Sequence, residues 1–89
     1  MNQPHHDIVL YTLPVCPNCQ TLKQALMHYS IAFDEEDLDS PQARTALLMH
    51  GVFTTTAPVL KIKETFLTYE ELFENDTLRI DLVLELLQC

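Results

Sequence analysis

The sequence predicts an α/β fold, a mixed four-stranded sheet flanked by three or four helices. The first observation is a pair of strand-then-helix patterns. An uninterrupted apolar run at residues 8–11 precedes Leu22, Ala25, Leu26 and Tyr29 at helical spacing, and residues 31–37 precede a helix that opens at Ser40-Pro41. Two strands bracketing a helix in this way form a right-handed parallel unit. The second observation is a change of character after Gly51. The β-branched Thr54, Thr55 and Thr56 lead into two short extended stretches separated by a turn, which read as an antiparallel hairpin before a helical close.

Residues 1–6 read as a loose polar tail, and residues 7–89 as one domain, since a chain of 89 residues builds a modest single core and not two. His5 and His6 in such a tail are more often solvated side chains than metal ligands. Residues 7–12 form the first strand. Its continuous apolar centre suits a central position covered on both faces. The helix after it runs from Pro17 to about Tyr29, with His28 placed to favour the negative end of the helix dipole when protonated. In residues 31–37, Ile31 and Phe33 alternate with smaller or polar residues before the segment turns acidic, as in an edge strand blunted by charge. Ser40 caps the second helix, with Pro41 at its first position. Ala43, Ala46, Leu47 and His50 recur at helical spacing, and Gly51, the only glycine, ends it in a left-handed turn.

In the second half, residues 59–63 read as a strand with Leu60 and Ile62 on one face. The chain turns near Glu64, and a short partner strand from Thr65 to Leu67 or Thr68 pairs back. Thr68 and Glu71 match a capping box opening a helix through Leu72 and Phe73. Asn75-Asp76 interrupts that helix, Asp76 can recap, and Leu78, Leu82, Val83, Leu86 and Leu87 form a last amphipathic helix.

The chemistry is concentrated at Cys16-Pro17-Asn18-Cys19, the junction of the first strand and helix. With Cys16 as the N-cap, Pro17 falls at the first helical position, where its missing N–H does no harm. The amides of Asn18 and Cys19 then point at the Cys16 sulfur and, with the helix dipole, favour thiolate over thiol. The thiolate is the nucleophile. Cys19, one turn on, is close enough to attack a mixed disulfide formed on Cys16. A Cys-x-x-Cys also makes half a zinc site or part of an iron–sulfur site. The other candidate ligands, Cys89, His5, His6, His28 and His50, supply no second pair of comparable spacing beyond the adjacent His5 and His6. Dithiol chemistry is therefore the favoured reading, with an iron–sulfur or metal carrier and a redox-inert protein-binding module as alternatives.

A formal charge of −8, from 13 acidic against 5 basic residues, opposes phosphate backbones and anionic membranes, so neither nucleic acid nor membrane is an expected partner. The acidity reads first as a solvated, repelling surface and second as a docking patch for a basic partner. Hydrophobic residues make up 47%, which argues against disorder. Three cysteines with no secretory apolar region, and no stretch near the roughly 20 apolar residues of a membrane helix, point to a reducing, cytoplasmic setting.

In order, strand, Cys-Pro-x-Cys at a helix start, strand, helix, then Thr56-Ala57-Pro58-Val59 leading a hairpin and a closing helix: this arrangement resembles the glutaredoxin family. The resemblance spans residues 7–87. It implies the minimal thioredoxin fold with strand order 2-1-3-4, Cys16 as the attacking thiol, Cys19 as the resolving thiol, and a cis Ala57-Pro58 peptide facing the disulfide. It further implies substrate contacts from Pro17, Asn18, Thr56, Ala57, Pro58, Tyr69 and Glu70, with Tyr69 and Glu70 at the place that holds the glutamyl end of glutathione. The implied activity is thiol–disulfide exchange on protein disulfides by a monomer without a tightly bound cofactor or metal, reduced by glutathione or by a reductase. Three departures weigh against glutathione. Leu13 stands where many members have a lysine for its carboxylate, Asn18 replaces an aromatic residue, and Leu67-Thr68 replaces paired glycines. A related branch, reduced by a thioredoxin reductase and donating electrons to ribonucleotide reductase, is similar on the same residues.

Overall fold

The computed structural model describes residues 7–87. The N-terminal tail, its two histidines and Cys89 lie outside that range. Strand β1 (Ile8–Thr12) leads to helix α1 (Pro17–His28), and β2 (Asp34–Asp37) leads to α2 (Pro41–Met49). Strands β3 (Val59–Ile62) and β4 (Thr65–Leu67) follow, then the single turn α3 (Tyr69–Leu72), the small hairpin β5 (Phe73–Glu74) with β6 (Thr77–Leu78), and α4 (Ile80–Leu87).

The four main strands are ordered β2-β1-β3-β4, as expected. β1 pairs parallel with β2, Val9 to Thr12 opposite Asp34 to Asp37, and antiparallel with β3, Tyr11 opposite Val59 and Ile8 opposite Ile62. β3 pairs antiparallel with β4, Leu60 opposite Leu67. Alternation along β1 and β3 therefore feeds two cores. On one face Leu10, Leu60 and Ile62 pack with Leu22 and Leu26 of α1, Leu72 of α3 and Val83 of α4. On the other, Tyr11 and Val59 pack with Cys19, Leu38, and Ala43 and Leu47 of α2. The apolar run of β1 is thus explained by a central strand with both faces covered. Among the described residues no helix is long and apolar enough to cross a membrane.

Helix ends follow the local chemistry. Ser40 Oγ accepts from the Ala43 amide at 3.1 Å. The far end of α2 closes with Gly51 at φ +75°, its amide donating to Leu48 O at 3.0 Å and that of Val52 to Leu47 O at 2.8 Å. A Cβ on Gly51 would meet nothing within 4 Å, so only backbone conformation demands glycine there. Ser40→Ala and Gly51→Ala are each expected to cost about 1 kcal/mol, read as a lower urea midpoint at unchanged slope.

Three expectations are corrected. Residues 31–33 are not part of β2. Ser30, at φ +57°, terminates α1, and the Ile31 amide still donates to Leu26 O at 2.9 Å. Ile31 and Phe33 instead press half-buried onto the core, and pairing with β1 begins only at Asp34. Tyr29 is the C-cap residue of α1, where the helix was expected to end, and is 47% exposed. Phe73 leaves α3 after one turn to join β5. Asp76 caps no helix. Asn75 and Asp76, at φ +53° and +63°, form a two-residue turn between Phe73-Glu74 and Thr77-Leu78, placing Leu78 in β6 and delaying α4 to Ile80. Both residue types tolerate the left-handed region that such hairpin turns require.

Candidate active site

The site lies at one end of the sheet. β1 and β2 both run toward it, β3 starts from it and β4 ends at it, so the register brings four loops together: the segment after Thr12, the acidic end of β2, the approach to Val59, and the start of α3 after Leu67. Cys16 stands near the middle of this end, on the loop that leaves the central strand.

Cys16 is the N-cap of α1, with φ −152° and ψ 90°, and Pro17 begins the helix. Of the two amides expected to face the sulfur, that of Cys19 donates to Cys16 Sγ at 3.0 Å. Cys16 and Cys19 are joined in a disulfide, S–S 2.03 Å and Cα–Cα 5.2 Å. The two sulfurs differ in access. Cys16 is half-buried, whereas Cys19 is 1% exposed within the core beneath α2. In the reduced protein the Cys19 amide and the helix dipole oppose protonation of Cys16, and Cys19 meets outside molecules only through it.

Ala57 and Pro58 are buried, joined by a cis peptide, and Ala57 shares the core cluster of Cys19, against which Cys16 packs. Pro17 is exposed and Asn18 half-buried beside the disulfide. Thr56, Tyr69 and Glu70 come together in a neighbouring cavity of about 380 Å³, walled also by Phe53, Phe66 and Glu71. Tyr69 stacks on Phe73, ring centroids 5.3 Å apart, and its hydroxyl donates to Asp76 Oδ1 at 3.4 Å. Glu71 closes the capping box by accepting from the Thr68 amide at 3.0 Å, and Glu70, exposed like Glu71, takes no part in the cap. Neither Pro17 nor Asn18 lines this cavity.

On the opposite side of the cysteine loop, Thr12, Leu13 and Pro14 share a second cavity, of about 360 Å³, with Glu35, Glu36 and Asp37. Lys23 Nζ lies 3.0 Å from Glu35. Its hydrogen bond, aided by that of the Thr12 hydroxyl, outweighs desolvation and holds the Glu35 carboxyl below the usual carboxylate range. Burial, and then the charge of Glu36, push the Tyr11 phenol above its ordinary value, so it stays neutral. Among the described residues no group of three or more His, Cys, Asp or Glu is gathered as a metal set.

Two exposed apolar residues at this end were not singled out from the sequence. Val15, 89% exposed, precedes Cys16, and Phe53, 81% exposed, lies in the loop before β3. Large apolar residues in loops that lead into the two motifs were the available signal.

With this geometry in place, comparison with known proteins decides the family. The glutaredoxin family model matches residues 8–67. The chain belongs to the glutaredoxin family. Its fold resembles the thioredoxin-like protein BC3987, at 27% identity and TM-score 0.66 over 89% of this chain and 97% of that one. A mutant of that protein aligns at 25% identity and TM-score 0.70, covering 92% and 95%. The glutaredoxin of Archaeoglobus fulgidus shares the fold at 15% identity and TM-score 0.64, covering 97% and 90%. Among curated proteins none matches significantly.

Proposed function

We propose that this glutaredoxin-family chain is a dithiol thiol–disulfide oxidoreductase that reduces protein disulfides, acting as a monomer in a reducing, cytoplasmic setting. The observation that carries the reading is the asymmetry of the pair, a half-exposed Cys16 sulfur held at a helix N-terminus against the Cys19 amide, with Cys19 buried behind it.

The Cys16 thiolate attacks one sulfur of a substrate disulfide, forms the mixed disulfide and expels the other substrate sulfur as a thiolate, which takes up a proton. Cys19 loses its proton and attacks the Cys16 sulfur, forming the intramolecular disulfide and releasing the second substrate thiol. Two electrons pass from the Cys16–Cys19 dithiol to the substrate. An external reductant then returns two electrons to regenerate the dithiol. Ala57, buried against the cysteine pair, offers its backbone for antiparallel pairing with the substrate segment.

The electron source we propose is a thioredoxin reductase, with ribonucleotide reductase among the recipients. Support comes from the wall that would meet a glutathione carboxylate. Leu13 lies there beside Glu35, Glu36 and Asp37, and no lysine or arginine lines either flanking cavity. A tripeptide of net negative charge is disfavoured at such a surface. NADPH consumption with a small disulfide substrate tests this. The expected result is turnover when thioredoxin reductase is supplied and near-background rates with glutathione and glutathione reductase. The reverse pattern would reassign the donor, and no consumption with either would overturn the oxidoreductase reading.

A further inference from the structure

The total acidity of the chain reads as a solubility device, but its placement does more. Across the active end of the sheet the order is the β2 terminus, the cysteine loop, the approach to β3, and the start of α3. The disulfide is therefore flanked on one side by the cavity of Glu35, Glu36 and Asp37 and on the other by the cavity of Glu70 and Glu71. The chain's five cations are Lys23, Arg44, Lys61, Lys63 and Arg79. None of them lines either cavity. Lys23 is committed to Glu35 and Arg44 to Asp39, and no salt bridge among the described residues involves Glu36, Asp37 or Glu70. The exposed Val15 directly precedes Cys16 on the cysteine loop, and the exposed Phe53 walls the Glu70 cavity beside Phe66 and Tyr69.

We infer that this end of the molecule is a docking surface for cationic disulfides, selecting a protein segment whose half-cystine is flanked by lysine or arginine. The occupant follows from charge complementarity and shape. A carboxylate beside three aromatic rings suits an ammonium or guanidinium group, which gains both ion-pair and cation–π attraction. Val15 supplies apolar contact next to Cys16 and Phe53 supplies it in the neighbouring Glu70 cavity, and the carboxylates add the polar contacts such interfaces carry. Anionic segments are repelled from both sides at once. This selectivity rests on the oxidoreductase reading above, since it concerns which disulfides Cys16 meets.

The test uses the pre-reduced full chain and three peptides that carry the same disulfide flanked by lysine, glutamine or glutamate. Second-order rates of reduction are read by rapid quenching. At about 20 mM salt the lysine peptide is expected to react about tenfold faster than the glutamate peptide, and at about 500 mM the ratio should fall to about twofold, because screening shortens the reach of these charges. Combining Glu36→Gln, Asp37→Asn and Glu70→Gln should bring the low-salt ratio to about twofold or less. Removing three charges from the other end of the sheet, with Asp7→Asn, Asp34→Asn and Glu64→Gln, should leave most of it. Phe53→Ala should slow the lysine peptide about threefold without altering the salt slope.

Equal rates for the three peptides at low salt would overturn the inference, as would loss of the preference in the far-end variant to the same degree as in the near-end one. Reduction of uncharged 2-hydroxyethyl disulfide, measured alongside, separates the two levels. If it proceeds without any charge preference among the peptides, only the docking surface is refuted. If neither it nor the peptides react, the oxidoreductase reading falls and the inference with it.

Discussion

Replacing Cys16 with serine is expected to lower disulfide reduction to the uncatalysed background. A serine hydroxyl forms no disulfide, so the variant has no route to the mixed intermediate. The other thiol of the pair cannot substitute for it, because Cys19 is 1% exposed and packs in the core cluster of Ala43 and Leu47 of α2. Cys19→Ser should behave differently. Its half-exposed Cys16 retains the cap position at the start of α1, so the first attack proceeds, and the mixed disulfide accumulates because no other cysteine among the described residues resolves it. Peptide-level mass spectrometry after one equivalent of substrate should place a covalent adduct on Cys16 in Cys19→Ser and none on Cys19 in Cys16→Ser. Normal turnover by Cys16→Ser would refute the assignment of roles.

Leu60→Ala carries the largest expected loss of stability. Leu60 is fully buried on β3, opposite Leu10 of β1 and Leu67 of β4, within the core that also receives Leu22 and Leu26 of α1 and Val83 of α4. Truncation removes contacts with both neighbouring strands and leaves a cavity that a sheet, locked by its register, collapses onto poorly. The cost expected is about 3 kcal/mol, from the range for buried leucine truncations. For a domain of this size that corresponds to a melting temperature lower by roughly 15 °C. Scanning calorimetry of the oxidised proteins measures it. A drop of only a few degrees would mean that the two faces of the sheet are less tightly coupled than the packing indicates.

Much of this architecture was legible because it is written in interactions that span three or four residues. Ser40 with Ala43, Thr68 with Glu71, and Cys16 with Cys19 each satisfy a helix-end amide from nearby in the chain, and all three are found. The cis Ala57-Pro58 peptide and the strand order were legible through family resemblance, not through local physics. The errors lie where tertiary contacts overrule local pattern. Ile31 and Phe33 alternate like strand residues, yet they come straight out of a helix end whose αL residue is Ser30, a position where glycine would have announced the turn. Asn75-Asp76 signalled a break, but the same pair serves a helix cap or a hairpin, and only the packing of Phe73 and Leu78 on the core distinguishes them. At the active end, the cysteine pair was plain from spacing. That the acidic end of β2 and the Glu70 turn flank it from opposite sides was not, because that relation depends on which strands are neighbours. Phe53 and Val15 were passed over for the same reason, since exposure beside a site is a property of the assembled sheet end.

The most direct measurement is a redox equilibrium of the purified protein in graded glutathione buffers, with free thiols trapped in acid and counted by mass. The expected result is a single two-electron transition in which Cys16 and Cys19 interconvert between dithiol and disulfide, with a midpoint between about −270 and −120 mV. A pair that stays reduced across that range, or that reacts as two independent thiols, would contradict the account.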